Sequence, residues 1–552
     1  MALSSAPAVI TCPRCGQSFR CDPAGACWCK EMPAILPVPD ETAATCLCPA
    51  CLARYVQASK YQRNSAMKLL EPLKINTMTI PNRVLVPAMV TRLSGEDGFV
   101  NQDVIDRYVR YAEGHVGLIV VEATAIHGSK SGPLLRISED RFIDGHRELV
   151  KRVHDAGPSK VVPQIIHFLK VARSGWRQTI DMLTTEDIDL IIDQFAAAAG
   201  RVREAGYDGV ELHSAHAYTL SSFLSRHNKR RDEYDGRTLE GRLRLFGKVM
   251  TRVRRTVGPD FPVGVRFLAE EAIKDGYGLP DAQRIALRMA QMGVDYISLS
   301  VGGKFEDAVH KPGQPLYPYT GYSGDRCMPG DWYPPLPHAH LAAGIKQYIN
   351  AKGYNVPVVS VGKISDPADA ERLLQEGKAD IIGMARQLLA DPDWVRKVEE
   401  GRPEKIIRCI YCNVCKQLDE NFKTVTCFLW PKGMIQAPRE DTSGAAPTWP
   451  AGGAGLTATV KDGAIQLAWK RAEGSEIIGY DVYRAEDDGH ASIIEAVKTP
   501  KYTDRFVLGG LDYTYYVVAY DKFGRHSPPS NAVTVQMPKP NFNPPDLEMS
   551  HA

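Results

Sequence analysis

The 552-residue chain contains no apolar run approaching the roughly 18 residues needed to span a bilayer, and Met1 to Val9 lack both a charged start and a long apolar core. A basic block is missing too: Lys+Arg 67 against Asp+Glu 65 gives 67 − 65 = +2. That balance excludes an electrostatic grip on phosphate backbones, so neither nucleic acid nor membrane is expected as a partner. Between Val56 and Arg326 there is no cysteine, although the chain holds 13. Eight fall between Cys12 and Cys51, one is Cys327, and four lie between Cys409 and Cys427. Such clustering in a long chain without a secretory leader argues against a disulfide scaffold and for metal sites in a soluble, cytoplasmic protein.

Composition marks the expected borders. Residues 1–60 are rich in Cys and Pro and poor in large apolar side chains, so a metal would have to organise them. From Leu69 onward eight short apolar runs alternate with amphipathic helical stretches: Val84–Val86, Gly117–Glu122, Lys160–Gln164, Gly209–His213, Val263–Phe267, Tyr296–Ser300, Val356–Val361 and Asp380–Ala385. Buried parallel strands read as continuous apolar runs, and eight βα units predict an α/β fold, a (β/α)8 TIM barrel over residues 68–400, with a doubly wound open sheet as the alternative. A cysteine segment follows at 401–438, then a linker at 439–455 rich in Gly, Ala, Ser, Thr and Pro. Over 456–537 the apolar period becomes two, in Ala464–Trp469, Gly479–Arg484 and Tyr513–Tyr520, which predicts a small antiparallel sandwich; 538–552 reads as a loose tail.

Barrel enzymes draw catalytic groups from the carboxyl ends of strands, and the fourth run ends in Glu211-Leu212-His213-Ser214-Ala215-His216-Ala217-Tyr218. Two imidazole N–H groups can hold a carbonyl or nitro oxygen, and a protonated phenol can donate a proton. From spacing alone, a core histidine and a packed tyrosine fit as well.

The residues from Leu69 to about Pro431 resemble the old yellow enzyme family of FMN-dependent ene-reductases, in the branch with 2,4-dienoyl-CoA reductase and trimethylamine dehydrogenase. The resemblance is carried by Pro81-Asn82-Arg83, Val121-Glu122-Ala123, Gln164-Ile165-Ile166-His167 and Arg231-Asp232-Glu233-Tyr234. It implies an FMN site with Pro87, Ala88 and Met89 along the flavin edge, Ala123 beneath the ring, and Gln164 at the pyrimidine side. It further implies Arg266 near N1 and O2 of the ring, where a positive charge favours the anionic reduced flavin. Gly362, Lys363, Gly383, Ala385 and Arg386 would hold the phosphate, His213 and His216 the substrate oxygen, and Tyr218 the proton. Val90 stands where relatives often have a Cys or Thr that touches the flavin, so a different potential is expected, and Phe168 to Lys170 replace the small residues usual after His167, so the pocket is expected to be reshaped.

Cys409-x2-Cys412-x2-Cys415-x11-Cys427 has the form of a [4Fe–4S] segment, and its position matches the cluster segment of that branch; structural zinc suits four thiolates as well. Cys12, Cys15, Cys21, Cys27, Cys29, Cys46, Cys48 and Cys51 resemble the small cysteine-rich CWC family, which implies Zn2+, with a rubredoxin-like iron between Cys12, Cys15, Cys48 and Cys51 as the alternative. Leu467-Ala468-Trp469, Gly479 to Arg484 and Tyr515 to Ala519 resemble a fibronectin type III domain, which implies docking or a homo-oligomer. The function these features imply is reduction of an activated C=C in a small-molecule enone, enoate or nitro compound. An amine dehydrogenase using Tyr317, Tyr319, Tyr322 and Trp332 as an aromatic cage is one alternative. A non-catalytic scaffold is the other. No dinucleotide-binding motif follows the cysteine segment, so the reductant is expected to be NAD(P)H acting directly or an external electron-transfer protein.

Overall fold

The computed structural model describes residues 8–11, 18–21, 67–129, 132–170, 178–302, 326–331, 333–431, 433–439, 446–474, 477–487, 491–521 and 525–539. All eight apolar runs form strands, and these close into one parallel barrel in chain order: Val84–Val86, Leu118–Ala125, Lys160–Ile166, Val210–Ser214, Val263–Glu270, Tyr296–Val301, Val358–Val361 and Ile381–Gly383. The open-sheet alternative is thereby excluded. Helices between the strands cover the outside, because each carries one apolar stripe; Thr185–Glu204, for example, turns Ile188, Ile191, Ile192, Phe195 and Val202 inward. A capping box between Thr184 and Asp187 starts that helix.

The barrel interior is graded along its axis. At the amino end an antiparallel hairpin, Leu73–Ile75 with Met78–Ile80, plugs the bottom. Its Ile75, Met78 and Ile80 join Leu85, Leu118, Val120, Val162, Val359 and Ile381 in a separate apolar cluster. Asn76 in the turn (φ 54°) fastens the plug by donating to the Pro259 carbonyl at 2.8 Å, and Thr77 donates to the Asp260 carbonyl at 2.6 Å. One level up, Gln164, Glu211, Gly264 and Tyr296 are register partners across four successive strands. His213, Arg266 and Ser298 form the next level. Parallel register therefore converts single polar residues from separate strands into a continuous polar layer above an apolar floor.

After the barrel the chain forms two antiparallel sheets. One has three strands (Thr457–Lys461, Ala464–Ala468, Lys501–Asp504) and the other four (Ser492–Val497, Ile477–Glu486, Asp512–Asp521, Val533–Gln536). Both contribute to one core, with Ile465 and Leu467 from the first meeting Tyr480, Val482, Tyr515 and Val517 from the second. Trp469 stands edge-on to Tyr480 at 5.5 Å. In the amino-terminal region the described residues form one hairpin, Ala8–Thr11 with Ser18–Cys21. Cys12, Cys15, Cys27, Cys29, Cys46, Cys48 and Cys51 lie outside the described residues, as do Tyr317, Tyr319, Tyr322, Trp332, the 440–445 part of the linker and the tail from 540. Among the described residues no helix is long and apolar enough to cross a membrane.

Gly264 leaves room for the Tyr296 ring: a Cβ there would lie 2.1 Å from two atoms of that ring. Gly264→Ala is expected to cost about 1–3 kcal/mol through overpacking, read as a lower urea midpoint at an unchanged slope.

Candidate functional site

The polar layer holds a buried cation without a matching acceptor. Arg266 is 8% exposed, and its Nε and Nη1 have no hydrogen-bond partner among the described residues. Glu211 on the neighbouring strand attracts it, but both Glu211 oxygens are engaged by other donors. Gln164 Nε2 donates to one at 2.7 Å and the Tyr296 hydroxyl to the other at 3.0 Å. Burial pushes the Glu211 carboxyl up, and Arg266 opposes that shift. A guanidinium so placed calls for an anionic or polar ligand above the layer, since a buried unpaired charge costs several kcal/mol.

Above Arg266 the fourth strand ends and the chain turns through His216 and Ala217, both left-handed (φ 56° and 58°). Two successive non-glycine residues in that region mark a turn held by its surroundings. The turn brings the His213 ring 5.2 Å from His216 and 5.0 Å from Tyr218, edge-on to both. His213 Nδ1 accepts the Ala215 N–H at 3.1 Å, so the proton sits on Nε2. His216 Nε2 lies 2.6 Å from Ser300 Oγ and 3.2 Å from Cys327 Sγ. Burial first, then the Arg266 charge, lowers His216 to about 3; burial, His216 and Arg266 lower His213 well below its usual range. Both imidazoles are therefore neutral at neutral pH, and His213 has its Nε2–H to donate.

The remaining sequence candidates line the same mouth. Pro87, Ala88 and Met89 follow the first strand, with Pro87 buried and the other two half-buried. Ala123 belongs to a patch with Ala125, Leu134 and Ile166, against which Val90, Phe168 and Tyr218 pack. Phe168 and Tyr218 thus pack against one apolar patch. Gly362 (φ 107°) leaves room for the His338 ring, and a Cβ on Gly383 would lie 2.7 Å from Val361. Lys363 reaches the carbonyls of Gly330 at 3.0 Å, Asp331 at 2.9 Å and Tyr333, so its three donors are committed to the loop after the sixth strand. Ala385 opens the helix Ala385–Ala390, and Arg386 Nη1 donates to the Pro329 carbonyl at 2.8 Å and Asn413 Oδ1 at 2.6 Å. Lys363 and Arg386 do converge, but within a protein network that sequence does not reveal.

Cys409, Cys412, Cys415 and Cys427 line one cavity with Arg386, Asn413, Leu389, Ile410, Phe428 and Leu429. None is in a disulfide, and burial pushes Cys409 up to about 11 and Cys415 up to about 12. Among the described residues no three His, Cys, Asp or Glu side chains are grouped to hold a single metal ion. Four thiols around one hollow are donor chemistry for an iron–sulfur group or for zinc. Met89 packs against the Leu389, Cys415, Val425 and Trp430 core of this segment, which joins the cysteine site to the candidate flavin edge.

Sequence reasoning missed the group that ties these parts together. Glu122 is wholly buried and accepts the Thr91 N–H at 2.7 Å and hydroxyl at 2.6 Å, while the Thr91 carbonyl accepts the Val425 N–H at 2.8 Å. Burial pushes its carboxyl up to about 7. An acidic residue inside an otherwise apolar strand was the available signal.

Comparison with known proteins agrees with this geometry. The NADH:flavin oxidoreductase / NADH oxidase family pattern matches residues 68–179, 170–316 and 339–405. The chain is 33% identical over 362 residues to an NADH oxidase of Thermoanaerobacter brockii, covering 62% of this chain and 52% of that one. It is 31% identical to a cinnamate reductase of Clostridium sporogenes, covering 66% and 57%. A histamine dehydrogenase structure from Rhizobium sp. 4-9 superposes with a TM-score of 0.57 at 25% identity, covering 69% and 55%. The chain thus spans little more than half the length of each.

The neutral buried histidines set an acid limit. Unfolded His216 takes up its proton near pH 6.5, whereas the folded residue does so only near 3, so the unfolded state binds more protons throughout that window and stability falls on acidification. Between pH 7 and pH 5 His216→Asn should lose about 2 kcal/mol less stability than the parent, measured by urea unfolding at both pH values.

The barrel, the polar layer and the matched segments together place the chain in the NADH:flavin oxidoreductase / NADH oxidase family, a family of flavin oxidoreductases.

Proposed function

We propose that this chain is an FMN-dependent ene-reductase acting on an activated alkene, and the observation that carries the reading is the buried Arg266 guanidinium, whose Nε and Nη1 have no partner among the described residues, beside a pair of neutral imidazoles. The residues fit FMN: a cation with unpartnered donors for the polar end of the ring, and small or half-buried residues at Ala88, Met89 and Ala123. When bound, FMN supplies the hydride. His213 offers its Nε2–H to the substrate oxygen and stabilises the negative charge that develops there. His216, fixed by Ser300, gives the second side of that polar corner. Tyr218, edge-on to His213, holds the proton that the α-carbon receives. The cinnamate reductase relative supports an unsaturated carbonyl or carboxylic acid as substrate class.

The histamine dehydrogenase likeness supports the same fold for amine oxidation. Neutral imidazoles beside Arg266 favour a developing oxyanion over a cationic amine, because the arginine charge repels the latter. The four cysteines from Cys409 to Cys427 are assigned to a [4Fe–4S] cluster that serves electron input from an external electron-transfer protein, with NAD(P)H acting directly on the flavin as the other route. The amino-terminal cysteines are assigned to zinc and the carboxyl-terminal sheets to a fibronectin type III-like docking module, which the three-plus-four strand arrangement supports.

Tyr218→Phe should reduce kcat for cinnamaldehyde by about 100-fold while leaving the binding of 4-hydroxybenzaldehyde, followed by flavin absorbance, nearly unchanged. His213→Ala should weaken that binding instead. Equal large losses of ligand binding in both variants would contradict the division of roles.

A further inference from the structure

The cation at the carboxyl end of the eighth strand is held by the cysteine loop. Arg386 is 7% exposed, and among the described residues only its Nη1 is committed, to the Pro329 carbonyl and to Asn413 Oδ1. Its guanidinium lies over the Tyr411 ring, 4.9 Å from the centroid. Tyr411 and Asn413 flank Cys412 and are both left-handed, with φ of 54° and 56°. Asn413 also donates from Nδ2 to the Met328 carbonyl at 2.8 Å, which fixes the orientation of its amide and so the acceptor that Arg386 meets. Gln387, next in the chain, accepts the Cys409 N–H at 2.9 Å and donates to the Ile407 carbonyl at 2.9 Å. Lys363 approaches the same Tyr411 ring at 4.9 Å while its donors hold the Gly330 to Tyr333 loop. Two cations therefore share one aromatic ring that belongs to the cysteine loop.

We infer that Tyr411 and Asn413 are positioning residues of the flavin-phosphate site, acting through Arg386, so that the cysteine loop and phosphate binding are coupled. The inference rests on the FMN reading above and deepens it. With Nη1 anchored by two acceptors and the plane seated on Tyr411, the Nε and Nη2 edge of Arg386 keeps one orientation, and a guanidinium fixed in that way meets a phosphate in fork geometry without first losing side-chain freedom. Lys363, whose three donors go to backbone carbonyls, fixes the neighbouring loop, which leaves the charged contact to Arg386. Coupling is reciprocal: whatever orders the Cys409 to Cys415 loop tightens phosphate binding, and bound phosphate stabilises the loop.

The test compares two ligands that differ only in the phosphate. Full-length protein is stripped of flavin, its iron content is measured, and FMN and riboflavin are titrated by fluorescence quenching. Asn413→Gly keeps the left-handed backbone while deleting the amide. It should weaken FMN about tenfold and leave riboflavin unchanged, as should Tyr411→Leu. Tyr411→Phe, which keeps the ring, should restore FMN binding to the parent level. A parent protein that binds FMN no better than riboflavin would remove the phosphate site itself, and the inference with it. A parent that prefers FMN, with variants that lose both ligands equally or neither, would overturn the positioning role alone.

Discussion

A buried guanidinium inside a parallel barrel, with two of its donors unpartnered among the described residues, is the constraint around which the site is arranged. Arg266 sits where the interior changes from apolar to polar, and Glu211, the nearby carboxylate, is already engaged by Gln164 and Tyr296. Burial first, with the Arg266 charge adding to it, keeps His213 and His216 neutral, and neutral imidazoles can donate to an oxygen without repelling the cations around it. Burial and the Arg266 charge thus set the neutral state at the mouth, while the Ala215 N–H sets the tautomer of His213.

The second organising feature is the set of ties between the barrel and the cysteine segment. Glu122 holds Thr91, Thr91 holds Val425, and Arg107 Nη2 donates to the Val425 and Ile435 carbonyls at 2.9 and 2.6 Å. On the other side Gln387 and Arg386 grip Ile407, Cys409 and Asn413. The four thiols are thus built into the wall of the barrel mouth.

Much of this was legible in the sequence because buried parallel strands are written as apolar runs, and every one of the eight became a strand. Some limits shifted for local reasons: Asp380–Ala385 shortened to Ile381–Gly383 because Ala385 starts a helix, and Ala464–Trp469 ended at Ala468. The Leu73–Ile80 plug and the flanking sandwich strands such as Thr457–Lys461 were not apparent, since strands of three to five residues with exposed faces carry little periodicity. His213, His216 and Tyr218 were visible as neighbours in one stretch. Lys363 as a loop staple, Asn413 and Tyr411 beneath Arg386, and Cys327 against His216 depend on contacts across tens to hundreds of residues, which spacing cannot express.

The account is tested most directly by the chromophore. Full-length protein purified without oxygen, then denatured, should release a flavin with the mass of FMN. In Arg266→Gln the retained flavin should have a more negative midpoint potential, because the charge that favours the reduced anion is gone. A parent protein that emerges colourless and takes up no added FMN, or an Arg266→Gln variant with an unchanged potential, would contradict it.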